Sequence, residues 1–196
     1  QLIEDIRYIK EVISSSIYYT NLSGIAAIIS GFAALAGSFL SHLVSKNKNV
    51  LNPQLQDFWE IIVIWLLVFV VSVVSHFYFI LRKAKKTGVP AWSRLAKLIL
   101  YGIGPSIVVG AFFTIFLSIE NKMLWIPSIW MITYGLVAWS AGLFSTEEPR
   151  WLGILFILTG FISLFLFTQH PFEMLAISFG GYHIVYGIRL FLKYGG

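Results

Sequence analysis

Four histidines stand in a chain without cysteine, and their neighbours decide what chemistry they could do. His42 and His170 fall at the ends of two long apolar runs, while Glu60 and Glu173 open the runs that follow. Two neutral imidazoles and two carboxylates form a ligand set for a divalent first-row metal, with zinc the expected occupant. The spacing His170-x-x-Glu173 brings two of the four close across Pro171. A plainer reading competes with this one. A carboxylate in a first helical turn already suits the helix dipole, and interfacial histidines are commonly just solvated.

His76 and His183 lie deeper in their runs. Each precedes an arginine, Arg82 or Arg189, by six residues, or about 9 Å along a helix. Ionisable groups at that depth call for a functional reading. A metal, a proton relay, or a hydrogen bond to a serine, tyrosine or carbonyl would each serve. The last is favoured, because buried polar groups find partners. All nine acidic residues sit at run ends or in loops, so no carboxylate is available at mid-depth for proton coupling. No nucleotide-binding loop, G-x-S-x-G elbow or H-E-x-x-H helix occurs.

The elements that must carry these groups are membrane-length helices. The chain of 196 residues is 58% hydrophobic and only 12% charged, with a mean hydropathy of +0.81. A soluble domain carries roughly 25% charged residues. Runs of about 20 apolar residues span a bilayer, and six are present: Ile17–Val44, Phe58–Leu81, Leu98–Ile119, Met123–Phe144, Trp151–Thr168 and Phe172–Leu192. The expected fold is therefore all-α and polytopic, one integral membrane domain over 1–196. An interfacial amphipathic helix occupies 1–14, then hairpins follow at 17–82, 93–144 and 150–193. The opening charges do not read as a cleavable signal.

Eleven of the fourteen Lys and Arg fall on one side if the loop Arg82–Lys97 is cytoplasmic, leaving Lys46, Lys48 and Lys122 outside. That bias predicts a multi-pass protein of the cell inner membrane with both termini cytoplasmic. Membrane orientation explains the net charge of +5 better than nucleic acid does. The expected partners are membrane lipids, with a divalent metal and an oligomer as further candidates.

The chain also repeats itself. LSGIAAIISGFAAL at 22–35 aligns with WLGILFILTGFISL at 151–164, identical at six of fourteen positions, including Gly24/Gly153 and Gly31/Gly160. The ends of the second and sixth runs agree as well, with His76 opposite His183 and Arg82 opposite Arg189. Tyr134-Gly135-Leu136 echoes Tyr186-Gly187-Ile188, which puts Met131 where the other two hairpins have histidine. Three hairpins of one orientation around an axis along the membrane normal are expected.

LGILFILTG, a proline corner and a glycine-rich helix ending HIVYGI resemble HdeD-type acid-resistance membrane proteins of bacteria. With EDIRYIKE at its start, the whole chain resembles a family of small uncharacterised six-helix bacterial membrane proteins. These resemblances imply a helical membrane fold and bring no catalytic residues. The functional expectation is a non-enzymatic integral membrane module, zinc-binding and structural or stress-related. Its competitors are a small transporter or channel with a pathway past His76 and His183, and an intramembrane metalloenzyme.

Overall fold

A computed structural model describes residues 2–8, 22–48, 55–88 and 91–194. The chain is helical: α1 over 2–8, α2 (Gly24–Lys48), α3 (Leu55–Thr87), α4 (Arg94–Ile119), α5 (Ile126–Phe144), α6 (Glu148–Leu166), α7 (Pro171–Leu175) and α8 (His183–Tyr194). A π-helical segment, Ala176–Tyr182, joins α7 to α8, so the three make one continuous rod. Among the described residues six helices are long and apolar enough to cross a membrane, and each falls on one apolar run of the sequence. The expected interfacial helix over 1–14 is described only at 2–8 and the first run only from residue 22, because residues 1 and 9–21 lie outside those described, as do 49–54 between the first two runs. Residues 2–8 are exposed.

Local chemistry explains the boundaries. Ser93 caps α4 by accepting the Ala96 N–H at 3.2 Å, as a serine does at an N-cap. Pro127, Pro149 and Pro171 occupy first turns, where a missing N–H costs nothing. α3 runs beyond its apolar stretch to Thr87, because the residues that follow, Arg82 to Lys86, are all strong helix formers. Gly88 ends it at φ 72°, with its N–H on the Ala84 carbonyl at 3.0 Å. That left-handed geometry favours glycine.

The helices associate as two triplets rather than three separate hairpins. α2 packs between α3 and the α7–α8 rod, while α5 packs between α4 and α6. α6 thus leans on α5 more than on its own hairpin partner. Helices this apolar are held together by close backbone approach and polar contacts. Both are present. A Cβ on Gly187 would stand 2.6 Å from the Gly24 carbonyl oxygen; one on Gly153 would stand 2.6 Å from that of Gly135. Two glycine seams therefore join α2 to α8 and α6 to α5. Trp65 Nε1 donates to Ser41 Oγ at 3.2 Å and Trp130 Nε1 to Thr114 Oγ1 at 2.9 Å. These bonds tie α3 to α2 and α5 to α4.

The triplets meet around a core that includes Ile61, Met131, Leu152, Phe156, Phe172 and Leu175. α3 and α4 lie at the margin, largely bare, and among the described residues they share no packed seam. At the basic end, Glu148 is buried on α6, and Lys193 Nζ donates to its Oε1 at 2.6 Å. The Tyr194 hydroxyl lies 3.3 Å from both carboxylate oxygens. That latch fastens the end of α8 to the start of α6.

Candidate functional site

His183 opens α8 directly after the π segment. A π turn winds more slowly than an α turn, so it re-aims the residues that follow. Here it delivers His183 to the centre, where the side chain is 95% buried by its relative exposure of 5%. Its Nε2 lies 2.5 Å from the Tyr134 hydroxyl on α5. The phenol is the natural donor and Nε2 the acceptor, which leaves the proton on Nδ1. The backbone of Phe179 and Ser178 lies close to that nitrogen, yet no group reaches it with hydrogen-bonding geometry. A fully buried polar atom without a partner is uncommon.

Aromatic rings close the space around this pair. The Phe156 ring, fully buried on α6, is centred 4.7 Å from Tyr134, 4.8 Å from Phe179, 5.7 Å from Tyr182 and 5.4 Å from His183. Phe179 stacks on His183 at 12°, and Trp65 from α3 meets Phe179 edge-on at 6.1 Å. The Tyr182 hydroxyl is within 2.8 Å of Thr159 Oγ1. The centre is a packed aromatic plug with two internal hydrogen bonds.

His76 stands on the other side of α2. Its Nδ1 is 2.9 Å from the Ser72 carbonyl, so the ring nitrogen carries the proton and donates. Ser30 Oγ is 3.4 Å from the same nitrogen and donates to the Ala26 carbonyl at 2.9 Å. The next residue, Gly31, faces α8: a Cβ there would stand 2.8 Å from the Gly180 carbonyl oxygen. Successive residues of α2 thus face His76 on one side and the approach to His183 on the other. His76 lies within electrostatic reach of His183. Both rings turn Nδ1 toward their own helix backbone, but only His183 has a tyrosine on its second nitrogen.

The outer set assembles differently from the expected metal site. His42 Nδ1 lies 3.5 Å and His170 Nδ1 3.7 Å from Glu173 Oε1. Both imidazoles are directed at one carboxylate oxygen. Zinc would need all its ligands about 2.0–2.2 Å from a common point. Glu60 is exposed in the opening turns of α3. Among the described residues, no group of three or more His, Asp or Glu could hold a metal ion. The expectation of zinc on His42, His170, Glu60 and Glu173 is therefore unsupported. The shared carboxylate is itself the meeting point.

Two features of the inner site were not assigned in the sequence. Tyr134 was visible only as part of a Tyr-Gly echo, and Phe156 as one apolar residue among many. The Glu148–Lys193 latch left no pattern, since its partners are 45 residues apart. No family model, curated protein or solved structure matches this chain. The likeness of its last hairpin to HdeD-type proteins therefore rests on the residues of that hairpin alone.

Proposed function

We propose that this chain is a non-enzymatic, multi-pass integral membrane module whose two helix triplets are locked at the centre. The reading includes insertion into the cell inner membrane with both termini on the cytoplasmic side. Phe156 carries it: the ring fills the level at which a carrier would need water, and four aromatic or imidazole rings contact it. The Tyr134–His183 bond then serves as a polar key that fixes α5 against α8, since an interhelical hydrogen bond has no water to compete with it in lipid. The matched glycine seams support descent from repeated hairpins, and the charged helix at 2–8 supports an interfacial N-terminus.

A second reading has one observation in its favour. The unpartnered Nδ1 of His183, beside a π segment, fits an occluded state of a small carrier that passes protons between His183 and His76. One measurement tests the topology that both readings share, and a second separates them. Cysteines placed at Lys85 and Asn121 in this cysteine-free chain are expected to react with an impermeant reagent from opposite faces of the membrane. Proteoliposomes are expected to hold an imposed proton gradient as long as protein-free vesicles do. Labelling of both sites from one face would end the membrane topology. A proton leak lost on His183→Ala would replace the sealed module with the carrier.

A further inference from the structure

The basic turn that ends α3 is not uniform. Lys83 turns inward and donates to the Leu22 carbonyl at 3.1 Å, bracing α3 against the start of α2. Arg82, Lys85 and Lys86 are exposed, and α4 opens at the same end with Arg94 and Lys97, also exposed. The connection folds back on α3, with the Trp92 ring centred 6.3 Å from that of Phe77. No acidic residue occurs between Arg82 and Lys97.

A shallow apolar groove, open along most of its length, runs along the same face of α3. It has a volume of about 510 Å³ and is lined by Val70, Val71, Val74, Ser75, Tyr78 and Phe79. Helical spacing puts it in line with the cations: Val74, Tyr78 and Arg82 follow one another at four-residue steps, and Val71, Tyr78 and Lys85 at seven. Ser75 does not ask for a ligand, since its hydroxyl donates to the Ser72 carbonyl at 2.9 Å. The helix dipole accounts for a cation in the last turn. It does not account for an apolar groove that leads to it, nor for a stretch from Arg82 to Lys97 with five basic residues besides the inward Lys83 and no carboxylate among them.

We infer that this face of α3 is a binding site for one anionic phospholipid. Its phosphate lies against Arg82 and Lys85, and an acyl chain lies in the groove past Tyr78, Val74 and Val71. A zwitterionic lipid brings the same phosphate but cancels its charge, so the site discriminates by net charge. The inference rests on the membrane reading above.

Native mass spectrometry of the purified full chain tests it, with equal amounts of phosphatidylglycerol and phosphatidylcholine added. The parent is expected to retain phosphatidylglycerol preferentially, at one per chain. Each basic residue contributes roughly fivefold to anionic-surface binding, so Arg82→Gln with Lys85→Gln is expected to weaken retention by roughly 25-fold. Val74→Trp fills the groove without touching charge and is expected to lose the lipid too. Lys46→Gln with Lys122→Gln, at the opposite end, is expected to change nothing. Helicity and melting temperature show that each variant is folded. Equal retention of the two lipids overturns the site, as does full retention by either the double variant or Val74→Trp. Failure of the membrane reading itself looks different: the parent would then partition into the soluble fraction without detergent.

Discussion

Gly153 and Gly104 occupy the same kind of sequence, an apolar helix of membrane length, and meet opposite surroundings. A Cβ on Gly153 would stand 2.6 Å from both the Gly135 carbonyl oxygen and the Trp139 nitrogen. A Cβ on Gly104 would meet nothing within 4 Å. The contrast extends to whole helices. α6 and α5 are pressed together around Phe156, whereas α4 shows Val108, Phe112 and Ile115 to the outside. Composition cannot separate the two cases, because lipid and protein interior are about equally apolar. Small residues matter only where a second backbone arrives.

The sharpest way to break the comparison is Gly153→Ala. The obstructing atoms are backbone, so the α5–α6 seam must open, which puts the cost at the upper end of the about 1–3 kcal/mol typical of overpacking. Thermal unfolding in detergent should show a large loss. A melting temperature within error of the parent would mean that the seam is not a contact that holds the fold.

Phe156→Ala probes the centre of the same region. In lipid the transfer part of a truncation largely vanishes, leaving the void. A residual cavity of roughly 100 Å³ at about 24 cal/mol per Å³ gives about 2–3 kcal/mol. Phe112→Ala on α4, with the same atoms removed from an exposed ring, should cost almost nothing. Similar losses for the two would erase the distinction between plug and margin.

These two positions also show what could be read from the sequence. The six helices were legible because an apolar run of the right length satisfies its own backbone in lipid. Gly24, Gly31, Gly153 and Gly160 were legible as contact residues from their repeated spacing. His76 and His183 share their distance to an arginine, yet they stand on opposite sides of α2, and of the two only His183 is buried. Phe156 was not, because nothing about a phenylalanine in a membrane helix tells which side its ring faces. The α5–α6 pairing was hidden as well, since chain order suggested that α6 would lean on its hairpin partner. Types and spacing brought His42, His170 and Glu173 together, but the distances between them and the exposed place of Glu60 do not support the zinc that those residue types suggested.

Tyr134→Phe sharpens the comparison at the two histidines. It removes the hydroxyl and leaves His183 Nε2 buried with no donor, at a cost of about 1–3 kcal/mol. Ser30→Ala takes from His76 only a 3.4 Å contact; the ring keeps its bond to the Ser72 carbonyl, so the loss should stay below about 1 kcal/mol. Melting curves of both variants test the ordering. If Ser30→Ala proves the more damaging, the polar key lies on the His76 side of α2.

The smallest expected effect has the opposite sign. Gly104→Ala makes at α4 the substitution that Gly153→Ala makes at α6, and here the added methyl enters open space. What remains is backbone entropy: an interior helical glycine is about 0.5–1 kcal/mol worse than alanine. Pro105 follows at once within α4, and a proline interrupts the hydrogen-bond ladder one turn earlier, so part of that gain will be lost to a locally looser helix. The expected outcome is a melting temperature equal to or slightly above that of the parent. A clear destabilisation would mean that a second backbone does approach Gly104, which, with no α3–α4 seam among the described residues, would have to come from another molecule. Repeating the melt at tenfold dilution would then identify that contact, because only an intermolecular one weakens with concentration.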